Sequence, residues 1–109
     1  MDAKLLNTTY DYEFVDGTTA KLTLAFYYLY KLRSTHKKLY ERYNKIMLET
    51  SKNESYDEIN QLLILYTAYV CANMDDENLM SEEDFIMQCG SDREQMGKAL
   101  QYLTAPKKA

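Results

Sequence analysis

Two thiols, one imidazole and a run of carboxylates are the side chains of this chain that carry the chemistry of catalysis or metal binding. Cys71 and Cys89 stand far apart, and His36 is the only histidine. Zinc sites need more ligands, at short repeated spacings. Free cysteine packs as a small hydrophobe, so both thiols are expected to be buried and reduced. Glu82-Glu83-Asp84 holds the carboxylates an acid–base pair would need. They follow Ser81 at an expected helix start, where the helix dipole already accounts for them. Asp75-Asp76-Glu77-Asn78 has the composition of a calcium loop. The glycine at the loop's sixth position and the alternation of ligands are missing. No Gly-rich phosphate loop and no nucleophile–His–acid set is present. The expectation is a binding protein rather than an enzyme, with no cofactor and no metal.

The remaining chemistry is that of surfaces. Eleven tyrosines and six methionines accompany no tryptophan. Tyrosine joins an apolar face to a polar tip, and methionine packs adaptably, so both suit the boundary between core and interface. Charge is split along the chain. Residues 31–52 hold seven cations against two acids, while residues 53–92 hold ten acids and no Lys or Arg. Such a bipolar chain pairs its own halves or steers a charged partner.

Three Ser-x-x-acid signals mark helix starts at Ser55, Ser81 and Ser91. In a capping box the serine accepts from the N3 amide and the N3 acid reaches back to the cap. An apolar periodic run follows each signal, giving a long, a short and a medium helix. The long one, from about Tyr56 to Met74, has little polar circumference and is expected at the centre, covered on more than one side. Met80 is placed to staple onto Phe85 ahead of the short helix, and Gly90 to cap its end. Met96, Ala99, Leu100 and Leu103 line the inward side of the last helix. Gly97 within that helix is read as a close helix contact.

The first quarter of the chain reads differently. Tyr10 to Phe14 and Thr18 to Leu24 alternate with a period of two, and Val15-Asp16-Gly17 supplies the turn between them. A β-hairpin over 9–24 is expected, leaning on a helix because two strands alone are marginal. From Ala25 the period becomes helical. Leu29, Leu32, His36, Leu39, Tyr40, Tyr43, Ile46 and Met47 form a stripe over about six turns. This predicts one long helix, buried all round at Phe26 to Tyr30, with His36 satisfied on the apolar stripe. Ser51 to Glu54 reads as a polar linker.

The fold class is therefore mainly α: an N-terminal β-hairpin followed by a bundle of about four helices, two long, one short and one medium. The chain of 109 residues makes a single domain. Residues 1–8 and 105–109 are read as flexible ends. No run of about 18 apolar residues crosses a membrane and no signal peptide opens the chain, so a cytosolic location is expected.

Gln61 to Leu103 carries a family resemblance. Leu65-Tyr66-Thr67-Ala68-Tyr69-Val70-Cys71-Ala72-Asn73 is followed by Met80-Ser81-Glu82-Glu83-Asp84-Phe85, then by Asp92-Arg93-Glu94-Gln95-Met96 opening a helix that ends near Tyr102-Leu103. This order resembles the tail assembly chaperones of long-tailed phages and prophages of Gram-positive bacteria. The hairpin leading into an aromatic-rich helix is similar to the opening of that group. The resemblance implies a protein of the bacterial host cytoplasm, not retained in the mature virion. Its client would be the tape-measure protein, with the tail tube protein as a further partner and with self-association. It also implies a longer form made by ribosomal frameshifting, and Pro106-Lys107-Lys108 fits an A-rich slippery run. The apolar surface expected to bind the client is Phe26, Tyr27, Tyr30, Tyr66 and Tyr69. The alternative is a small nucleic-acid-binding regulator laying the basic helix 31–52 along phosphates. The net charge of −4 and the lack of a basic recognition helix stand against it.

Overall fold

The computed structural model describes the backbone of residues 9–53 and 57–104. The readings made for residues 1–8, for Ser55 and for the tail from Ala105 lie outside the described residues. The fold is mainly α with a small N-terminal hairpin. Strands β1 (Thr9–Glu13) and β2 (Thr19–Thr23) pair antiparallel, with Tyr10 opposite Leu22 and Tyr12 opposite Ala20. Five helices follow: α1 (Phe26–Thr35), α2 (Lys37–Asn53), α3 (Glu58–Ala72), α4 (Glu82–Cys89) and α5 (Arg93–Thr104).

The hairpin turns where Gly17 takes φ +89°, a conformation that glycine alone adopts without cost. Asp16 Oδ1 accepts from both the amide and the hydroxyl of Thr18, which lowers the Asp16 pKa. Tyr12 and Phe14 are buried and Asp11 and Glu13 exposed, the alternation of a strand with one wet face. The hairpin leans on α3 through β2 and on α5 through β1. Phe14 meets Phe85 of α4 edge to face at 5.7 Å, and Tyr10 meets Tyr102 of α5 at 5.8 Å.

Helix α3 is the core. Nine of its residues are buried, Leu62 to Leu65 and Thr67 to Cys71, and it touches β2, α1, α2, α4 and α5. Its surplus of apolar surface is thus covered by the chain itself. On α5, Met96, Ala99, Leu100 and Leu103 face inward as expected. Gly97 is exposed and a Cβ there would meet nothing, so it marks no helix contact.

The caps differ in part from expectation. Ser81 does cap α4, its hydroxyl accepting from Asp84 N. At α3 and α5 an aspartate does this instead. Asp57 accepts from Asn60 N and Asp92 from Gln95 N, each at the residue before its helix. Aspartate is as good an N-cap as serine, and the carboxylate also answers the helix dipole. The linker expected from Ser51 is helical as far as Asn53.

The largest departure is the break of the first long helix at His36 (φ −135°, ψ 62°). Ser34 and Thr35 both turn their hydroxyls back onto the Lys31 carbonyl. Such bonds compete with the helical ladder and bend it. The Thr35 hydroxyl also meets His36 Nδ1 at 3.0 Å. His36 N closes α1 on Leu32 O, and His36 O opens α2 by accepting from Tyr40 N. The apolar stripe runs on through the break, which is why periodicity alone reads one helix.

Candidate functional site

The break folds α2 against one side of α1 while α3 takes another. The third side of α1 meets solvent, so Phe26 to Tyr30 is not buried all round. Phe26 is 87% exposed, Tyr27 54% and Tyr30 66%. Leu32 is the one fully covered residue of the helix, and Tyr28 and Leu29 are half-buried. Phe26, Leu29, Tyr30 and Arg33 of α1, with Tyr40 of α2, line a shallow groove of about 290 Å³. Lys31 Nζ lies 5.6 Å from the Tyr27 ring and the Arg33 guanidinium 5.7 Å from the Tyr30 ring. Cations over aromatic faces hold both long side chains beside the apolar surface. Phe26, Tyr27 and Tyr30 are three of the seven large hydrophobic side chains exposed among the described residues.

The five residues expected to bind a client do not form one patch. Phe26, Tyr27 and Tyr30 stand together and exposed on α1. Tyr66 is half-buried and Tyr69 only 5% exposed, on α3. Both pack on Phe85, with ring centroids 5.5 and 5.2 Å away. Their hydroxyls grip one residue, Met80. Tyr66 donates to the Met80 carbonyl at 2.9 Å, and Tyr69 accepts from its amide at 3.0 Å. These tyrosines set the entry into α4 and are spent on the fold. Periodicity missed this because α3 is covered on nearly every side, so excess apolar surface there means core. Leu29 and Tyr40 were read as parts of an apolar stripe and Arg33 as one of the cations of 31–52, and none as groove lining, since a groove between two helices is invisible until the break at His36 is known.

The other chemical candidates are structural. Burial raises the Cys71 thiol to about 12 and the Cys89 thiol to about 11. Thiols held protonated in this way are inert at neutral pH. Tyr12 is fully buried and raised mainly by its own burial. Its hydroxyl has the Cys89 thiol for a polar neighbour and no well-formed hydrogen bond. Asp75 to Asn78 forms an exposed turn in which Asp76 accepts from Asn78 N. Among the described residues no three His, Cys, Asp or Glu side chains converge as metal ligands, and no helix is long and apolar enough to cross a membrane.

No protein-family model matches the chain, and neither does a curated protein or a solved structure.

Proposed function

We propose that this protein is a tail assembly chaperone of a long-tailed phage or prophage. It binds the tape-measure protein during tail assembly through the aromatic face of α1. The reading joins the order of motifs from Gln61 to Leu103 to one structural observation. The chain buries its central helix from Leu62 to Leu65 and from Thr67 to Cys71, yet leaves Phe26, Tyr27 and Tyr30 in water. A helix of this composition is kept exposed at a cost in solubility, and a protein client offsets that cost when it docks. The alternative, a nucleic-acid-binding regulator, would rest on α2, which holds Lys37, Lys38, Arg42, Lys45 and Lys52 on one helix, with Lys31 and Arg33 beyond the corner on α1. Arg42 is engaged within the chain, paired through both guanidinium nitrogens with Glu82.

Co-expression with a tape-measure protein from the same genome tests the proposal. The expected result is a soluble complex with several copies of this chain per client, measured by light scattering. A tape-measure protein that stays insoluble, with this chain recovered alone, would refute it.

A further inference from the structure

We propose that the groove between α1 and α2 takes an acidic amphipathic helix, seating its apolar stripe on Phe26, Leu29, Tyr30 and Tyr40 and its carboxylates against Arg33 and the neighbouring lysines. The inference rests on the chaperone reading only for the identity of the protein that supplies the helix.

Shape argues for a helix. Phe26, Leu29, Tyr30 and Arg33 follow i, i+3, i+4, i+7 spacing along α1, and Tyr40 closes the far wall. A row of anchors on one helix, walled by a residue of its neighbour, matches the stripe of an amphipathic helix. Charge argues for acid. Residues 26–40 hold Lys31, Arg33, Lys37 and Lys38 and not one carboxylate. The ion pairs of the described residues involve Lys21, Arg42, Arg93 and Lys98 instead. Arg33 lines the groove, and the stretch of chain that forms it is cationic on a protein whose net charge is −4. Complementary charge at a rim sets partner choice and speeds encounter. A second copy of the chain is a poorer occupant. Its acids at Asp75, Asp76 and Glu77 lie on a turn. Its acidic helix α4 buries Phe85 and Cys89 inward and offers Met87 as its large exposed apolar side chain.

Two synthetic helical peptides test this, with one leucine stripe in common and flanks of glutamate in one, lysine in the other. Titration by calorimetry should show the glutamate peptide binding, more weakly as salt rises, and the lysine peptide failing to bind. Arg33→Glu and Phe26→Asp should each weaken the glutamate peptide by roughly tenfold or more, as at an interface anchor. Equal binding of both peptides, or binding indifferent to both substitutions, would overturn the proposal. So would a dimer that Phe26→Asp dissociates, which would put a second copy in the groove. Single-stranded DNA displacing the peptide would give the groove to nucleic acid and overturn it too. The chaperone reading fails separately. A tape-measure protein that co-purifies with the Arg33→Glu, Phe26→Asp double variant keeps that reading and removes the groove from it. A glutamate peptide that binds while the tape-measure protein does not would leave the groove proposal standing alone.

Discussion

Gln95 holds Glu13 by both polar groups of its backbone. Its Oε1 accepts from the Glu13 amide at 2.7 Å, and its Nε2 donates to the Glu13 carbonyl at 2.9 Å. A side-chain amide thereby occupies a place on the outer edge of β1 that another strand would take. On the opposite edge Asn73 Nδ2 donates to the Lys21 carbonyl of β2 at 3.0 Å. Two amides from α5 and the end of α3 thus blunt both edges of a two-stranded sheet, an arrangement that guards against edge-to-edge pairing. They also bind a hairpin too small to stand alone to the helical body.

The first prediction follows from this clamp. Gln95→Ala removes both bonds to Glu13 and should cost about 1–2 kcal/mol, the net worth of two partly exposed hydrogen bonds. Gln95→Glu should do no better, because it loses the donor and brings a carboxylate towards Glu13 and Asp92. Urea unfolding measures both, and an unchanged midpoint for Gln95→Ala would show that the clamp contributes nothing.

The glycines of the C-terminal half should respond in opposite directions. Gly90 has φ +63°, and a Cβ there would sit 2.6 Å from Val15 Cγ1. Val15 is fixed in place by its amide, which donates to Gln88 O at 2.9 Å. Gly90→Ala should therefore cost about 1–3 kcal/mol from backbone strain and crowding together. Val15→Ala in the same chain should recover only the crowding. Gly97 lies in α5 with open space around it, so Gly97→Ala should stabilise by about 0.5–1 kcal/mol. Thermal unfolding of the three variants decides, and a stabilised Gly90→Ala would contradict the geometry.

Alkaline pH should loosen the fold. The thiols of Cys71 and Cys89 have an ordinary pKa of 9.0 and are raised by burial to about 12 and about 11. Above pH 9 the unfolded chain therefore holds fewer protons than the folded one, and stability falls as pH rises. Their contribution is complete below pH 9 and is lost towards pH 11 to 12. Tyr12, also raised by burial, acts in the same direction. Chevron or urea measurements between pH 7 and pH 10.5 should show the decline. In the same buffers a thiol reagent should modify Cys71 only as fast as the chain unfolds. Rapid labelling of the folded protein at pH 8 would mean that the thiol is reached without global opening.

Alternation and helical periodicity report which residues are covered, so the hairpin, the central helix and the inward face of α5 were legible. Cap identity was legible only at α4, in Ser81 and Gly90. At α5 the two candidates Ser91 and Asp92 are adjacent, and a one-residue shift in the helix start decides between them. The corner at His36 was hidden because Ser34 and Thr35 bend the helix through hydroxyl bonds to Lys31, which leave the apolar stripe unbroken. That corner in turn creates the groove, so three of its five lining residues could not be read as a site. The tyrosines were hard to sort for a related reason. The same residue type is exposed at Tyr30 and gripping Met80 at Tyr69, and only the neighbouring helices distinguish the two.

Substitutions on the two sets of tyrosines should separate binding from folding. Phe26→Asp and Tyr30→Asp place a charge where the side chain already meets water, so each should leave stability within about 0.5 kcal/mol. Tyr69→Asp puts an unpaired carboxylate beside Phe85 and strips the Met80 amide of its acceptor. A cost of about 3–5 kcal/mol is expected, enough to unfold much of a small domain. Tyr66→Phe and Tyr69→Phe keep the rings and should cost about 1 kcal/mol each through the lost bonds to Met80. Urea midpoints for the five variants, read beside client co-purification, make the test complete. Client binding lost at Phe26 and Tyr30 with stability intact assigns recognition to α1. Loss at Tyr69→Asp alone, in step with unfolding, would instead show that client binding needs only a folded core and that the exposed rings of α1 serve another purpose.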